Sequence, residues 1–183
     1  MSTPAHHDVS PDLLFPIGRY QPVREIGPAL REEWIGELES LPEDLRKAVA
    51  GLSETQLDTP YRPGGWTIRQ VVHHLPDSHM NSYVRFRLAL TEDTPTIKTY
   101  EEGRWAELPD ARQSPIEPSL LLLDGLHRRF IRLLRSLTAD DFAKTFRHPE
   151  LGEIRLDWTL GLYAWHSRHH VAHVNNLRVR ENW

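Results

Sequence analysis

The sequence predicts an all-α fold, an antiparallel four-helix bundle with one long crossover loop. Two observations carry that expectation. Four long stretches place apolar residues at every third or fourth position, as amphipathic helices do. The second and third of them are separated by residues 91–117, which hold Pro95, Pro109 and Pro115 and keep no sustained period. No internal repeat is visible.

The elements follow in order. Residues 1–27 contain Pro4, Pro11, Pro16, Gly18 and Pro22 and read as an extended arm wrapped on the surface; residues 28–183 read as a single domain. From Pro28 to Gly51 the spacing of Leu30, Trp34, Ile35, Leu38, Leu41, Leu45 and Val49 predicts a helix, interrupted or kinked near Leu41–Pro42. Residues 53–65 are a connector punctuated by Pro60, Pro63, Gly64 and Gly65. Thr67 and Gln70 then form a T-x-x-Q capping box before the stripe Ile68, Val72, Leu75, His79, Tyr83, Phe86 and Leu90. Pro76 within this run predicts a kink. Pro118 opens the third helix, whose buried face is expected at Leu122, Leu123, Leu126, Phe130, Leu133, Leu134 and Leu137. Residues 138–146 suggest a short helix, and residues 148–156 a turn or small hairpin. The last helix is expected over residues 157–178, with Leu162, Tyr163, His166, His170, His173, Val174 and Leu177 facing inward.

Composition narrows the function classes. Of 183 residues 39% are hydrophobic and 26% charged, which is a globular balance with enough apolar surface for one core. The net charge of −4, with both signs interspersed, leaves no basic stripe to track phosphates and disfavours nucleic-acid binding. There is no cysteine, so disulfides, thiolate-ligated zinc and a cysteine nucleophile are excluded. The longest all-aliphatic run, Leu120–Leu123, is far below a membrane span. The first residues lack the basic-then-apolar order of a signal peptide. The expectation is a cytoplasmic protein.

Four of the eleven histidines fall within eight residues, at His166, His169, His170 and His173. Residues four apart lie on one helix face, so His166 with His170, or His169 with His173, can aim two imidazoles at one point. Two such histidines make half of a divalent-metal site; a third ligand would leave a position open for chemistry. His166 with His170 is the better centred pair, and His169 and His173 suit outer support or packing. The third ligand should come from His73, His74 or His79. With Val72 at zero on a helical wheel, His79 falls near about −20°, His73 near about +100° and His74 near about 200°. His74 is therefore expected to face solvent or the far side, and the geometry leaves His73 and His79 open. Asp77, one turn after His73, could orient an imidazole or act as a base. His6, His7, His127 and His148 read as arm, helix-edge and turn residues, and Trp66, Trp105, Trp158 and Trp165 as core or wall.

Several long segments, in order, resemble the YfiT branch of the DinB-like superfamily. They are Tyr61-Arg-Pro-Gly-Gly-Trp-Thr-Ile-Arg-Gln-Val-Val-His-His, Asp77-Ser-His-Met-Asn-Ser-Tyr, Leu88-Ala-Leu-Thr-Glu-Asp-Thr-Pro-Thr-Ile-Lys, Trp105-Ala-Glu-Leu-Pro-Asp, His148-Pro-Glu and Leu162-Tyr-Ala-Trp-His-Ser-Arg-His-His. The resemblance spans nearly all of the chain from Phe15 onward. It implies a DinB-type four-helix bundle, a homodimer, and one divalent metal per chain, zinc or nickel, on three histidines. Aligned without a gap, it places those ligands at His73, His166 and His170. The activity it implies is that of a metal-dependent hydrolase acting on a small molecule. An alternative is S-transfer from a low-molecular-weight thiol of the bacillithiol type to an electrophile; with no cysteine here, the sulfur would arrive with the substrate. Pro76 departs from the small helix former expected at that position. A non-catalytic metal-binding bundle, its site closed by His79 or His173 as fourth ligand, and a metal-free packed histidine cluster are the competing readings.

Overall fold

The fold is a computed structural model that describes residues 11–183, so His6, His7 and the start of the expected arm lie outside the described residues. Within the arm, α1 (Pro11–Leu14) forms one helical turn rather than extended chain. Beyond α1 the arm lies along the last helix: Trp165 Nε1 donates to Gly18 O at 3.2 Å and Tyr20 Oη to Trp158 O at 3.3 Å. The chain continues as α2 (Pro28–Val49), α3 (Glu54–Leu57), α4 (Ile68–Thr91), α5 (Glu102–Trp105) and α6 (Pro109–Gln113). It ends with α7 (Glu117–Arg135), α8 (Ala139–Ala143), an antiparallel hairpin of β1 (Thr145–His148) and β2 (Gly152–Arg155), and α9 (Leu156–Glu181).

The four long helices form the bundle: α2 packs on α7 and α9, and α4 packs on the same two. Their directions follow from contacts at their ends. Arg46 meets Glu117 and Arg135 meets Glu39, so α2 and α7 run antiparallel. Arg178 reaches the Ala48 carbonyl while Trp34 packs on Gly161, so α2 and α9 run parallel. His73 touches Ser119 and Phe86 packs on Phe130, so α4 and α7 are also parallel. Two helices thus run each way. A parallel neighbour cannot be entered through a tight turn, and the chain must first return along a helix of about 30 Å. Residues 92–116 make that return, which is the physical reason for the crossover. It is partly ordered as α5 and α6, where the sequence suggested only loop.

Several local expectations change. α2 continues through Pro42 without interruption. Proline has no N–H to give to the residue four positions earlier, and the Leu38 carbonyl accepts from His127 Nδ1 at 2.6 Å instead. α4 likewise runs through Pro76. The capping box at its start forms as expected: Thr67 Oγ1 accepts from Gln70 N at 3.2 Å, and Gln70 Oε1 accepts from Thr67 N at 2.9 Å. Such a cap contributes about 1 kcal/mol. On α7, Leu122 is exposed and Leu120 is buried in its place, with His127 and Ile131 completing the inner face.

The apolar interior divides in two. One cluster gathers Leu38, Phe86, Phe130, Phe146, Leu156 and Leu160; the other gathers Leu41, Leu45, Ile68, Val72, Leu123 and Val174. Each such side chain contributes about 1.5–3 kcal/mol when fully buried. A layer of histidines lies between the clusters. His79 falls between Leu75 and Phe86 on α4, His127 between Leu123 and Phe130 on α7, and His166 and His170 between Ala164 and Val174 on α9. Burying polar rings there costs stability unless they find partners, so the layer is where function is to be sought.

Candidate metal centre

Two local features aim three rings at one another. On α9 the four-residue spacing stacks His166 over His170, with ring centroids 4.5 Å apart. Opposite them, α4 is covered on every side over its first turns, and Ile68 through Pro76 are all buried. His74 therefore meets α9 rather than water: its Nε2 lies 3.2 Å from His166 Nε2, and its ring centroid lies 4.9 Å from that of His170. One ring nitrogen from each of the three lies within 4.8 Å of the others, and among the described residues no further His, Cys, Asp or Glu joins this group. A tetrahedral zinc with Zn–N bonds near 2.0–2.1 Å holds its ligand nitrogens about 3.3 Å apart. The His74–His166 separation already matches. The all-imidazole donor set suits zinc, nickel, copper or iron.

Electrostatics favour ligation. Burial lowers His74 to about 4 and pushes His166 and His170 well below the usual imidazole range, with neighbouring imidazoles a smaller cause at His166 and His170. All three are neutral near pH 7, as metal binding requires. Nδ1 of both His166 and His170 is buried without a protein partner.

The tight turn before α4 supplies one wall. Tyr61 N donates to Trp66 O at 3.0 Å, Gly64 adopts φ +66°, and a Cβ at Gly65 would lie 2.7 Å from Arg62 Cγ. The glycines let the turn close, and it sets Trp66 with its centroid 4.7 Å from His74 and nearly parallel to His170. The three histidines border a cleft of about 1410 Å³ whose other lining includes Arg62, Arg85, Tyr100, Trp105 and Trp165. The crossover builds one side of it from residues 98–108. Arg85 is half-buried there and forms no ion pair among the described residues.

The remaining expected residues lie outside the trio. His73, the expected third ligand, is turned away from His166 and His170. Its Nδ1 is 2.7 Å from Ser119 Oγ and its Nε2 is 3.2 Å from Ser114 O, so it ties α4 to the end of the crossover. The resemblance chose His73; the wheel angle had only set His74 aside, because it assumed a single covered face, whereas α4 packs on α6, α7 and α9 together and His74 is buried. A usable signal was present: between Ile68 and Leu75 only Arg69 carries a formal charge, as expected of a segment enclosed all round. Asp77 shares the His73 face and does not line the cleft; burial and nearby Asp110 raise its carboxyl to about 6. His79 is fully buried and its Nδ1 lies 3.0 Å from His127 Nε2. His169 and His173 pair with each other at 3.0 Å, packed against Trp165 and Tyr61.

Comparison with known proteins agrees with this architecture. The DinB superfamily profile matches residues 31–174. A Bacillus cereus protein named "Putative metal-dependent hydrolase" is 57% identical over 172 residues, covering 94% of this chain and 99% of that protein. The solved structure of YfiT from Bacillus subtilis, described as a probable metal-dependent hydrolase with an unusual four-helix bundle topology, is 50% identical. It superposes with a TM-score of 0.92 over 94% of this chain and 99% of its own. A second solved four-helix bundle protein, 22% identical with a TM-score of 0.53 over 84% of this chain and 99% of its own, shares the fold.

Proposed function

The chain belongs to the DinB superfamily, and from that premise we propose that it is a divalent-metal-dependent hydrolase whose cation is held by His74, His166 and His170. The observation that carries this reading is three imidazoles converging in the wall of a cleft, with no fourth His, Cys, Asp or Glu joining them among the described residues. Three protein ligands leave a position for substrate or water, the pattern of catalytic rather than structural sites. When bound, a divalent cation supplies Lewis acidity, activating water near neutral pH and polarising a substrate carbonyl.

The chain's own residues do the rest. His166 and His170 are held rigidly by one helix, and His74 by a second that is locked at its start by the capping box. Trp66, packed on His74 and His170, limits the directions from which a substrate can approach. Arg85, without a carboxylate partner among the described residues, offers a charge to orient an anionic group of a small-molecule substrate. Zinc or nickel is the cation of this reading, a homodimer its assembly and the cytoplasm its location.

The test is metal content of protein purified without a histidine tag, followed by assays of small amides and esters with and without added zinc or nickel. About one metal per chain and metal-dependent hydrolysis are expected. Conjugation of a low-molecular-weight thiol to an electrophile, without hydrolysis, would overturn the hydrolase in favour of S-transfer. A wild type that takes up no metal would overturn the site.

A further inference from the structure

We propose that His127 and His79 form a directional hydrogen-bond relay that starts at the Leu38 carbonyl and ends on Nδ1 of His166, holding Nε2 of His166 free for a cation. The proposal deepens the metal reading above and rests on it. It makes His79 and His127 positioning residues.

Hydrogen-bond direction follows from the one partner that cannot donate. The Leu38 carbonyl is 2.6 Å from His127 Nδ1, and a carbonyl only accepts, so Nδ1 of His127 carries the proton. That carbonyl is available because the residue four positions on is Pro42, which has no N–H. Neutral His127 then has a bare Nε2, and His79 Nδ1, 3.0 Å away, must donate to it. Neutral His79 in turn presents a bare Nε2, fully buried and without a partner. The only buried ring nitrogens without a partner, among the described residues, are this atom and Nδ1 of His166, His169 and His170.

The rings of His79 and His166 stand 5.5 Å apart, centroid to centroid. Each of the two rings presents one buried nitrogen that has no protein partner, Nε2 on His79 and Nδ1 on His166. The relay joins these two buried nitrogens, the acceptor Nε2 of His79 and the Nδ1–H of His166, each of which otherwise lacks a partner. A proton on Nε2 of His79 would be an N–H buried without an acceptor, so the bare nitrogen is the form this enclosed layer favours. With its proton on Nδ1, His166 directs the Nε2 lone pair at the point it shares with His74, where the two Nε2 atoms are 3.2 Å apart. A metal-ligating histidine commonly donates its other ring N–H to such an outer partner, and loss of that partner typically costs 10–100-fold in metal affinity.

The decisive experiment is long-range ¹H–¹⁵N correlation of ¹⁵N-histidine-labelled, metal-free protein, which reports the tautomer of each ring. Nδ1–H on His127, His79 and His166 is expected; Nε2–H on His79 or His166 would overturn the relay. A zinc titration against a competing chelator follows, with wild type beside His127→Phe. Zinc binding weakened about 10–100-fold in a variant that still folds is expected, accompanied by loss of the single Nδ1–H tautomer at His79. Unchanged affinity in a folded His127→Phe protein would overturn the proposal. If that variant does not fold, the wild-type spectrum still decides. Absence of zinc binding by wild type would instead overturn the metal reading, leaving the tautomers to judge the relay.

Discussion

Replacing His73 and His74 by alanine one at a time separates two adjacent residues that the structure gives different neighbours, Ser114 and Ser119 for His73 and the α9 histidines for His74. His74→Ala removes one of three converging imidazoles. Since loss of an outer partner alone weakens metal sites 10–100-fold, loss of a ligand is expected to cost at least about 100-fold. At zinc about 100 times the wild-type Kd, binding stabilises the wild type by about 2.7 kcal/mol; at 100-fold weaker affinity the same zinc contributes about 0.4 kcal/mol. For a chain of this size about 1 kcal/mol moves Tm by roughly 2–4 °C. Zinc should therefore raise Tm by roughly 5–11 °C in wild type and by about 1 °C in His74→Ala. His73→Ala removes the contacts to Ser119 Oγ and Ser114 O, at 2.7 and 3.2 Å. At about 1 kcal/mol each, metal-free Tm should fall by roughly 4–8 °C, while the rise produced by zinc is kept. Differential scanning fluorimetry of the three proteins with and without zinc reads both effects. If His73→Ala abolished the zinc response and His74→Ala preserved it, the assignment from geometry would be refuted.

Three further outcomes are expected. His74, His79, His127, His166 and His170 are buried and lowered, so the unfolded chain binds more protons than the folded one as pH falls below about 6.5. At pH 5.5 each costs on the order of 1 kcal/mol, together several kcal/mol, comparable with a whole domain's stability of about 5–15 kcal/mol. Urea unfolding of the metal-free protein should show this loss, and a flat profile from pH 7.5 to 5.5 would refute it. Asp77→Asn should stabilise the fold at pH 7 by roughly 1 kcal/mol after solvent screening. The raised carboxyl, at about 6, is ionised there, and the gain should shrink as pH falls through 6; an altered zinc affinity would contradict its placement away from the cleft. Gly161→Ala would set a Cβ 2.8 Å from Trp34 Cη2 and 2.9 Å from Tyr20 Oη, wedging α2 from α9. Overpacking of about 1–3 kcal/mol, partly offset by helix propensity, should lower Tm by roughly 2–4 °C, and an unchanged or higher Tm would show that Trp34 yields freely.

Features that depend on neighbours within a turn or two were readable along the chain. The four apolar periods, the Thr67–Gln70 cap and the hairpin near Pro149 were legible because each is set by residues a few positions apart. So was the pairing of His166 with His170, since four residues make one turn on any helix. Which histidine of α4 meets His166 and His170 depended on packing between helices. His73 and His74 differ by about 100° around one axis, and with neighbours on several sides of that axis no single apolar stripe marks the inside. It is the antiparallel packing of α9 along α4 that gives His74 its partners, and the crossover closing over the other side that claims His73. The relay escaped sequence reading for the same reason: Pro42, His127 and His79 lie on three helices, and only packing brings a carbonyl freed by one proline to the two histidines beside the site.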